Sequence, residues 1–339
     1  MKNWIGTGAL VILAGLTTSG IAFAQDYPKT HFRYGHTIPA TASNSQGEVY
    51  VAEEIEKRSN GTVTMEVFWA GAGGKPAELL DLAGQGGLDG AVITASYFPA
   101  KLPLLSAFSA LPFSSGDRAS AQKIQYTLWE EFPALREEAA ANNLHVARFQ
   151  VFNEYHLLCT SPIRTVADLK GKKIRSQGEF IPMALAAVEA IPVTILPGEF
   201  YESLQRGSVD CILLTWDLFA INRLYEVAKF GSTISFGTII AHMMTYNLDK
   251  WNGLDESVRN LITEVASETR ERDLKIMGDA EAKGLEILKA NGVEIVEFTE
   301  QEKFESMMPD FIDLWVEKAK AVGKGEEAAS IAARWKELR

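Results

Sequence analysis

The sequence predicts an α/β fold with two lobes, and three observations lead to this prediction. Strand-like segments alternate with helical segments over residues 31–94, and the same order returns over residues 145–214. The last third, from residue 255 onward, is mainly helical in pattern. Because alternating strands and helices are typical of a mostly parallel sheet covered by helices, each of the first two thirds predicts one such unit.

The elements of the first unit follow from local patterns. Strands are predicted at 31–36, where polar and apolar residues alternate, and at 62–69, which also is rich in β-branched and aromatic residues. A third strand is predicted at 88–94, which is a short apolar run. Apolar residues at helical spacing predict a helix over 45–58. Pro76 suits the first turn of a second helix, which extends to about residue 83.

The second unit repeats this logic. Residues 145–160 predict one or two strands, and residues 166–171 a short helical turn that ends at Gly171. Further strands are predicted at 172–176, 193–196 and 211–214, with helices over 180–190 and 199–206. The chain is expected to pass between the lobes near 147–160 and again near 230–240. The first lobe would then comprise residues 25–147 and the second residues 148–230, each with part of residues 231–339.

The C-terminal third predicts long helices. Residues 255–291 have apolar residues at helical spacing and few helix breakers, with room for one interruption near Gly278. A strand is expected at 293–298, followed by helices over 301–322 and 326–338.

The N-terminus predicts export. Lys2 precedes an apolar run from Trp4 to Leu16, and Ala22-Phe23-Ala24 forms a small-residue cleavage pattern, so residues 1–24 predict a secretory signal peptide. A retained membrane anchor is less well supported, because spanning a bilayer takes about 20 apolar residues. The mature protein is therefore expected in the periplasm.

Composition excludes several classes of function. With 33 Lys and Arg against 44 Asp and Glu, the net charge is −11, which argues against nucleic acid or anionic lipid as partners. The 5 His and 2 Cys show no zinc spacing, and no nucleophile motif is present. Residues 71–75 (GAGGK) lack the glycine spacing of a phosphate-binding loop, and Pro76 follows. We therefore expect no cofactor, no metal and no catalysis.

The two cysteines, Cys159 and Cys211, leave two interpretations open. Export permits a disulfide bond, but the sequence does not show that the two residues are close enough to form one. The favoured interpretation is that both cysteines are unlinked and serve as small apolar residues within strands. A catalytic cysteine is disfavoured.

Three motifs in order carry a family resemblance. They are VADLKGKKIRSQG at 166–178, LPGEFYESLQRGSVD at 196–210 and LYEVAKF at 224–230. They resemble the substrate-binding subunits of TRAP transporters, the C4-dicarboxylate-binding DctP family. The resemblance implies two α/β lobes joined by crossing strands, a long helix spanning both, and a ligand held in the cleft between them. It also implies delivery to the small and large membrane subunits of a permease. An exported sensory binding protein and an α/β enzyme for a similar acid remain as alternatives.

Arg175 matches the arginine of the family's KIR motif, which grips the ligand carboxylate. A planar guanidinium offers two parallel donors to a carboxylate, and a buried charge needs a partner. The resemblance therefore implies that Arg175 binds a small organic acid. The alternative is a surface arginine at a strand end, beside the solvated Lys172 and Lys173.

Some family members carry a second arginine on the strand before the DLKG turn. An ungapped alignment places Tyr155 at that position, so this chain lacks the second arginine. A phenol donates a hydrogen bond without adding charge, and Asn153 offers both a donor and an acceptor. We therefore expect a ligand with one acidic group, contacted by Tyr155 and Asn153, although a half-buried strand aromatic is an equal interpretation of Tyr155. His156 is expected to point to the opposite face.

Residues 210–217 (DCILLTWD) differ from the DGQENP pattern of the sialic-acid-binding members. Leu214 replaces the asparagine and Thr215 the proline. Burying a polar ligand group against an alkyl chain, without a hydrogen-bond partner, costs about 1–3 kcal/mol. The ligand is therefore expected to carry fewer hydroxyl groups at this end. Trp216 would form a pocket wall, or else belong to the core.

Thr94 stands where the sialic-acid binders have an acidic residue, which removes a reason to bind an amine or a polyol. The loops at His36-Thr37 and at 69–73, including Trp69, could close over the other end of the ligand. Phe180 and Phe236 are further ligand candidates, and each has core packing as its alternative. Glu199 is expected to cap or brace structure.

Overall fold

The computed structural model describes Met1 and residues 26–339, without the side chains of Ile240 and Ala241. The predicted signal peptide, residues 1–24, lies outside the described residues apart from Met1. Over residues 26–339, no helix is both long and apolar enough to cross a membrane.

The strands form two sheets. In chain order they are β1 (Thr30–Gly35), β2 (Val63–Phe68), β3 (Gly90–Ile93), β4 (Leu144–Glu154), β5 (His156–Cys159), β6 (Lys173–Ser176), β7 (Ile191–Thr194), β8 (Cys211–Leu214), β9 (Phe230–Ser232), β10 (Thr238–Asn247) and β11 (Glu294–Val296). The first sheet has the order β2-β1-β3-β10-β4 and the second the order β11-β9-β5-β8-β6-β7. The predicted α/β class is confirmed, with helices flanking both sheets.

Mostly parallel sheets were predicted, and both sheets are mixed: two of the four strand pairings in the first sheet and three of the five in the second are parallel. In the first sheet β1 runs parallel to β2 and β3, but β10 pairs antiparallel with β3 and β4. In the second sheet β6 is parallel to β7 and β8, whereas β5 is antiparallel to β8 and β9. The antiparallel strands are those at which the chain changes sheet, and local patterns carry no information about this pairing.

The chain crosses between the sheets at two short connections, in addition to the long passage from β10 to β11. Tyr155 separates β4 of the first sheet from β5 of the second, and residues 233–237 lead back from β9 to β10. Both crossings fall inside the segments that the sequence indicated. The exact limits of the two lobes stay a prediction.

The helices cover the sheets and connect them. They are α1 (Gln46–Arg58), α2 (Leu79–Gly84), α3 (Arg118–Glu131), α4 (Pro133–Ala141), α5 (Phe180–Ala187), α6 (Phe200–Gln205), α7 (Trp216–Ile221), α8 (Leu248–Asn252), α9 (Glu256–Ala290), α10 (Gln301–Ser306), α11 (Phe311–Ala321) and α12 (Gly325–Leu338). The 35-residue α9 is uninterrupted at Gly278. It packs against α1 beside the first sheet and against α7 beside the second, so a long helix does span both.

The helix predicted over 301–322 is two helices. Helix α10 ends at Ser306 and α11 begins at Phe311, with Pro309 between them. Proline lacks the backbone N–H of a helical hydrogen bond and disfavours helical conformation in the residue before it. Asp310 then caps α11 by accepting from the backbone N–H groups of Ile312 and Asp313.

Cys159 and Cys211 form a disulfide bond, so the favoured interpretation of two unlinked cysteines was wrong. The two residues lie directly opposite each other on the antiparallel strands β5 and β8, with Cα atoms 4.1 Å apart. Both are fully buried. The two cysteines are 52 residues apart in the chain, and the sequence does not show that their strands pair with each other.

Candidate functional site

A cavity of about 350 Å³ lies between the two sheets. Its wall beside the first sheet comprises Thr37, Ile38, Pro39, Ala70, Gly71, Lys75, Pro76, Thr94, Tyr97, Phe152 and His242. Its wall beside the second sheet comprises Arg175, Gln177, Pro197, Gly198, Phe200, Leu214, Leu218, Ile221 and Asn222. Tyr155, at the crossing between the sheets, also lines it.

The topology explains why these residues meet. The loops that follow β1, β2 and β3 supply much of the first wall, and the segments that follow β6, β7 and β8 supply the second. Parallel neighbours end at the same edge of a sheet, and ligands of α/β proteins bind outside those carboxyl ends. The cavity is therefore where the fold itself predicts a binding site.

Arg175 is the most constrained side chain of the site. It is 1% exposed. Its Nε donates to the carbonyl oxygen of Ile195 at 3.1 Å, and Nη1 to that of Leu213 at 2.9 Å. Nη2 donates to Oε1 of Gln177 at 2.6 Å, and Cζ lies 4.9 Å from the ring centre of Phe200. A guanidinium has five N–H donors, so two are left for a bound molecule.

The charge around Arg175 is unbalanced. Within residues 26–339 no carboxylate lies within 4.0 Å of its guanidinium nitrogens, although many surface arginines have such a partner. The cavity lining contains a second cation, Lys75, and neither Asp nor Glu. A buried charge that lacks an opposite charge is costly, so the site favours an anion even though the chain carries a net charge of −11.

Two tyrosines place hydroxyl groups near this cation. Burial raises the pKa of Tyr155 to about 12, and the Arg175 guanidinium acts against that rise. Burial also raises the pKa of Tyr97, again with Arg175 acting in the opposite direction. Both phenols are therefore protonated at neutral pH and can donate a hydrogen bond to an acceptor in the cavity.

Among the other residues predicted to contact ligand, Thr94 and Leu214 line the cavity. Thr94 follows β3 and is 9% exposed. Leu214 ends β8, and together with Leu218 and Ile221 of α7 it forms an apolar stripe on the second wall.

Asn153, Thr215 and Trp216 were expected at the ligand but are not among the lining residues. The Asn153 amide donates to Asp217 and to the carbonyl oxygen of Met277, and accepts from Arg118. Thr215 is fully buried. Trp216 stacks on His156 with ring centres 4.5 Å apart. The contacts of Asn153 and Trp216 hold these two side chains within the protein.

The remaining aromatic candidates also pack elsewhere. Trp69 lies against His36, at 4.9 Å between ring centres, and does not line the cavity. Phe236 packs with Phe113 and Phe304, and Phe180 packs edge-on against Phe311.

Of the two residues of the His36-Thr37 loop, Thr37 lines the cavity, whereas His36 is buried. Glu199 occupies the N-cap position of α6, but its side chain makes no capping hydrogen bond. Of the two expected roles, a cap or a brace, a cap of α6 is therefore excluded, and Glu199 is not among the lining residues of the cavity.

Sequence reasoning missed many of the lining residues, among them Gln177, Tyr97, Lys75 and His242. Gln177 lies two positions after Arg175, a spacing that returns to the same face of an extended chain, so it could have been found. A histidine within the apolar segment 238–247 was a second available signal.

His242 lies beside a buried polar network behind the first wall, with its ring edge-on to that of His36 at 5.6 Å between ring centres. Arg148 forms ion pairs with Glu48 and with Asp273 of α9, and all three are buried. Burial opposes ionisation of Glu48, but Arg148 and His36 hold its pKa at about 2. Burial, together with His36, lowers the pKa of His242 to about 3. The imidazole that faces the cavity is therefore neutral at physiological pH.

A two-sheet fold with an interlobe cavity, and a buried cation free to meet an anion, define a protein that binds an acidic solute. The family "Bacterial extracellular solute-binding protein, family 7" (DctP) matches residues 34–318, and this chain belongs to that family. The predicted resemblance to TRAP solute-binding proteins is thereby confirmed. The chain is a binding protein and not an enzyme.

Two individual relatives and one solved structure are similar to this chain over long stretches. The chain is 26% identical to the uncharacterized protein YiiZ of Salmonella typhimurium over 206 residues, 59% of this chain and 63% of that protein. It is 24% identical to the 2,3-diketo-L-gulonate-binding periplasmic protein YiaO of Escherichia coli, over 90% of this chain and 91% of that protein. A TRAP periplasmic solute-binding protein of Desulfovibrio salexigens with bound orotic acid has the same fold, with a TM-score of 0.82 at 23% identity, covering 91% and 99% of the two chains.

Proposed function

We propose that this protein captures a small organic acid in the periplasm, with the carboxylate on Arg175, and delivers it to the small and large membrane subunits of a TRAP permease. The observation that carries the proposal is the buried Arg175 guanidinium, which faces a cavity and has no carboxylate partner among residues 26–339. A carboxylate ligand supplies the missing charge and accepts two N–H groups.

The walls suggest what the rest of the acid looks like. Leu214, Leu218 and Ile221 offer no hydrogen bonds to one side of the ligand. The phenol groups of Tyr97 and Tyr155 can donate near the carboxylate. An acid of modest size with one apolar face satisfies both conditions.

Ligand capture is expected to close the cleft. The ligand would touch Arg175 on one wall and residues such as Thr94 on the other, and these walls belong to different sheets. A ligand shifts an equilibrium between open and closed forms only by binding one form better. Contacts to both walls exist only when the walls are close, so the closed form is the one that the acid stabilises.

A thermal-shift screen of organic acids tests the proposal, because a ligand that binds only the folded protein raises its melting temperature. We expect at least one monocarboxylate to raise Tm in the wild type. The Arg175→Lys variant should bind that acid at least about 10-fold more weakly, because lysine keeps the charge but loses the two parallel donors.

Arg206→Lys is the matched control, since Arg206 is exposed and pairs with Glu202 one helical turn away. It should leave binding unchanged. Full affinity in both Arg175→Lys and Arg175→Met would contradict the role of Arg175, provided that both variants fold with a near-normal melting temperature.

A further inference from the structure

Lys75 lies two residues after the loop at 69–73 that was expected to close over the ligand, and no role had been assigned to Lys75 itself. The segment 71–75 fails as a phosphate-binding loop, yet Ala70, Gly71, Lys75 and Pro76 all border the cavity. Lys75 is exposed, so it lies where the cavity meets solvent. Within residues 26–339, no carboxylate lies within 4.0 Å of its ammonium nitrogen.

The backbone of this loop is held firmly. Ala70 N–H donates to the carbonyl oxygen of Ile38, and Gly71 N–H to that of His36. Gly71 has a φ of 81°, a left-handed conformation that glycine adopts at little cost. The backbone N–H of Lys75 donates to a Glu78 carboxylate oxygen at 2.9 Å. The loop thus fixes the Cα atom of Lys75, while the ammonium group remains available.

Arg175 and Lys75 are the cations of the cavity lining, and they lie on opposite walls. Arg175 is buried beside the second sheet, whereas Lys75 is exposed beside the first. At the position of the family's second arginine stands Tyr155, which adds no charge. A second positive charge is therefore present, but on the other wall and at the solvent end.

We propose that Lys75 is a specificity-determining residue that contacts an anionic group at the end of the ligand remote from Arg175. The proposal rests on the proposed function and departs from the sequence-based expectation of a single acidic group: the preferred acid carries a second anionic group, at the distance that separates the two walls in the closed form. Such a dianion would contact Arg175 on one wall and Lys75 on the other, so both charge and shape would favour its binding between the walls. Its contact with Lys75 is made only on closure, so it favours the closed form directly.

Matched pairs of acids test this role. D-glucarate and D-gluconate differ in a second carboxylate, as do terephthalate and 4-carbamoylbenzoate. For each pair the dissociation constants are measured by calorimetry with wild type, Lys75→Met and Lys123→Met. Lys123 is exposed, outside the cavity, and has no ion-pair partner among residues 26–339, so its variant changes net charge equally.

We expect the wild type to prefer the dianion of at least one pair. Lys75→Met should reduce that preference by about two- to fivefold, the range typical of a solvent-accessible ion pair. Lys123→Met should leave it unchanged, and the monoanion should bind all three proteins alike.

Two results would overturn the role of Lys75 while leaving the proposed function intact. One is a wild type that binds the monoanion of each pair at least as tightly as the dianion. The other is a Lys75→Met variant that weakens monoanion and dianion equally. If none of the four acids, and no acid of the broader screen, binds the wild type, the proposed function itself fails, and the inference about Lys75 with it.

Discussion

Gln177 accepts a hydrogen bond of 2.6 Å from Nη2 of Arg175, and both side chains line the same cavity. The acceptor is a neutral amide oxygen, as are the carbonyl oxygens of Ile195 and Leu213 on the same guanidinium. Neutral acceptors orient Arg175 without cancelling its charge. The full positive charge is thereby kept for an anion that arrives from solvent.

Gln177→Glu tests this arrangement. The new carboxylate would take the place of the amide and form an ion pair with Arg175 inside the protein. We expect binding of the acid found in the screen to weaken by at least about 10-fold, because the ligand must compete with an internal anion. Calorimetry measures the affinity, and thermal unfolding without ligand should show no loss of stability.

Gln177→Leu is the comparison variant. It removes the acceptor but leaves the charge of Arg175 unpaired, so it should weaken binding less than Gln177→Glu does. Equal affinity of wild type and Gln177→Glu would show that Arg175 does not meet the ligand as a charge.

The disulfide bond between Cys159 and Cys211 makes a second prediction. Closing a loop across 52 residues restricts the unfolded chain, and the chain-entropy estimate for such a loop is about 4 kcal/mol. The double variant Cys159→Ala/Cys211→Ala should therefore lower the free energy of unfolding by about 3–4 kcal/mol. Urea unfolding measures it.

Reducing agent provides the control for this prediction. The wild type unfolded and refolded in reductant should approach the stability of the double variant, and the variant should not respond to reductant. Unchanged urea midpoints in both experiments would contradict a stabilising role for the bond.

Local elements were largely predictable because they depend on nearby residues. The strand at 211–214 was predicted at its observed limits, since a short apolar run between polar segments suffices to identify it. Pairing was not predictable. β10 inserts between β3 and β4 from more than 80 residues later in the chain, and the disulfide depends on the same unforeseen pairing of β5 with β8.

The site was only partly predictable, for a reason visible at one junction. Leu214 ends β8 and faces the cavity, whereas Trp216, two residues later, begins α7 and turns toward His156. Side-chain direction at a strand–helix junction depends on the backbone turn, which the residue types do not reveal. Lys75 was missed for a related reason, because only the tertiary position of its loop brings it to the cavity.

Gly284 in α9 makes a third prediction. A Cβ atom there would lie 2.5 Å from Cα of Asp217 and 2.6 Å from its backbone nitrogen. Because backbone atoms cannot move aside like a flexible side chain, Gly284→Ala should push α7 away from α9. We expect a loss of about 1–3 kcal/mol in the free energy of unfolding. Binding of the acid should weaken too, since α7 carries Leu218 and Ile221.

Gly278→Ala in the same helix is the matched control. Its Cβ would meet the end of the Arg118 side chain at 3.0 Å, a group that can shift. Alanine favours the helix by up to about 1 kcal/mol over glycine, so this variant should be as stable as the wild type or more stable. Equal effects of the two substitutions in urea unfolding would contradict close packing of α7 on α9.

The response to acid is a fourth prediction, centred on His145. Its ring stacks on Trp251, with ring centres 3.8 Å apart, and burial lowers its pKa to about 4. In the unfolded chain the same group takes up its proton near pH 6.5, as an ordinary histidine does. Between about pH 6.5 and 4 this residue therefore binds more protons in the unfolded state than in the folded state, so its contribution to stability falls as the pH is lowered through this range.

His145→Phe keeps an aromatic ring against Trp251 but cannot titrate. Urea unfolding at pH 7.5 and at pH 4.5 should show a smaller loss of stability in this variant than in the wild type. The remaining loss is expected from His242, whose pKa burial lowers to about 3, since it too is protonated in the unfolded chain before it is protonated in the folded protein. If the loss between the two pH values were the same in both proteins, His145 would not contribute to the acid sensitivity of the fold.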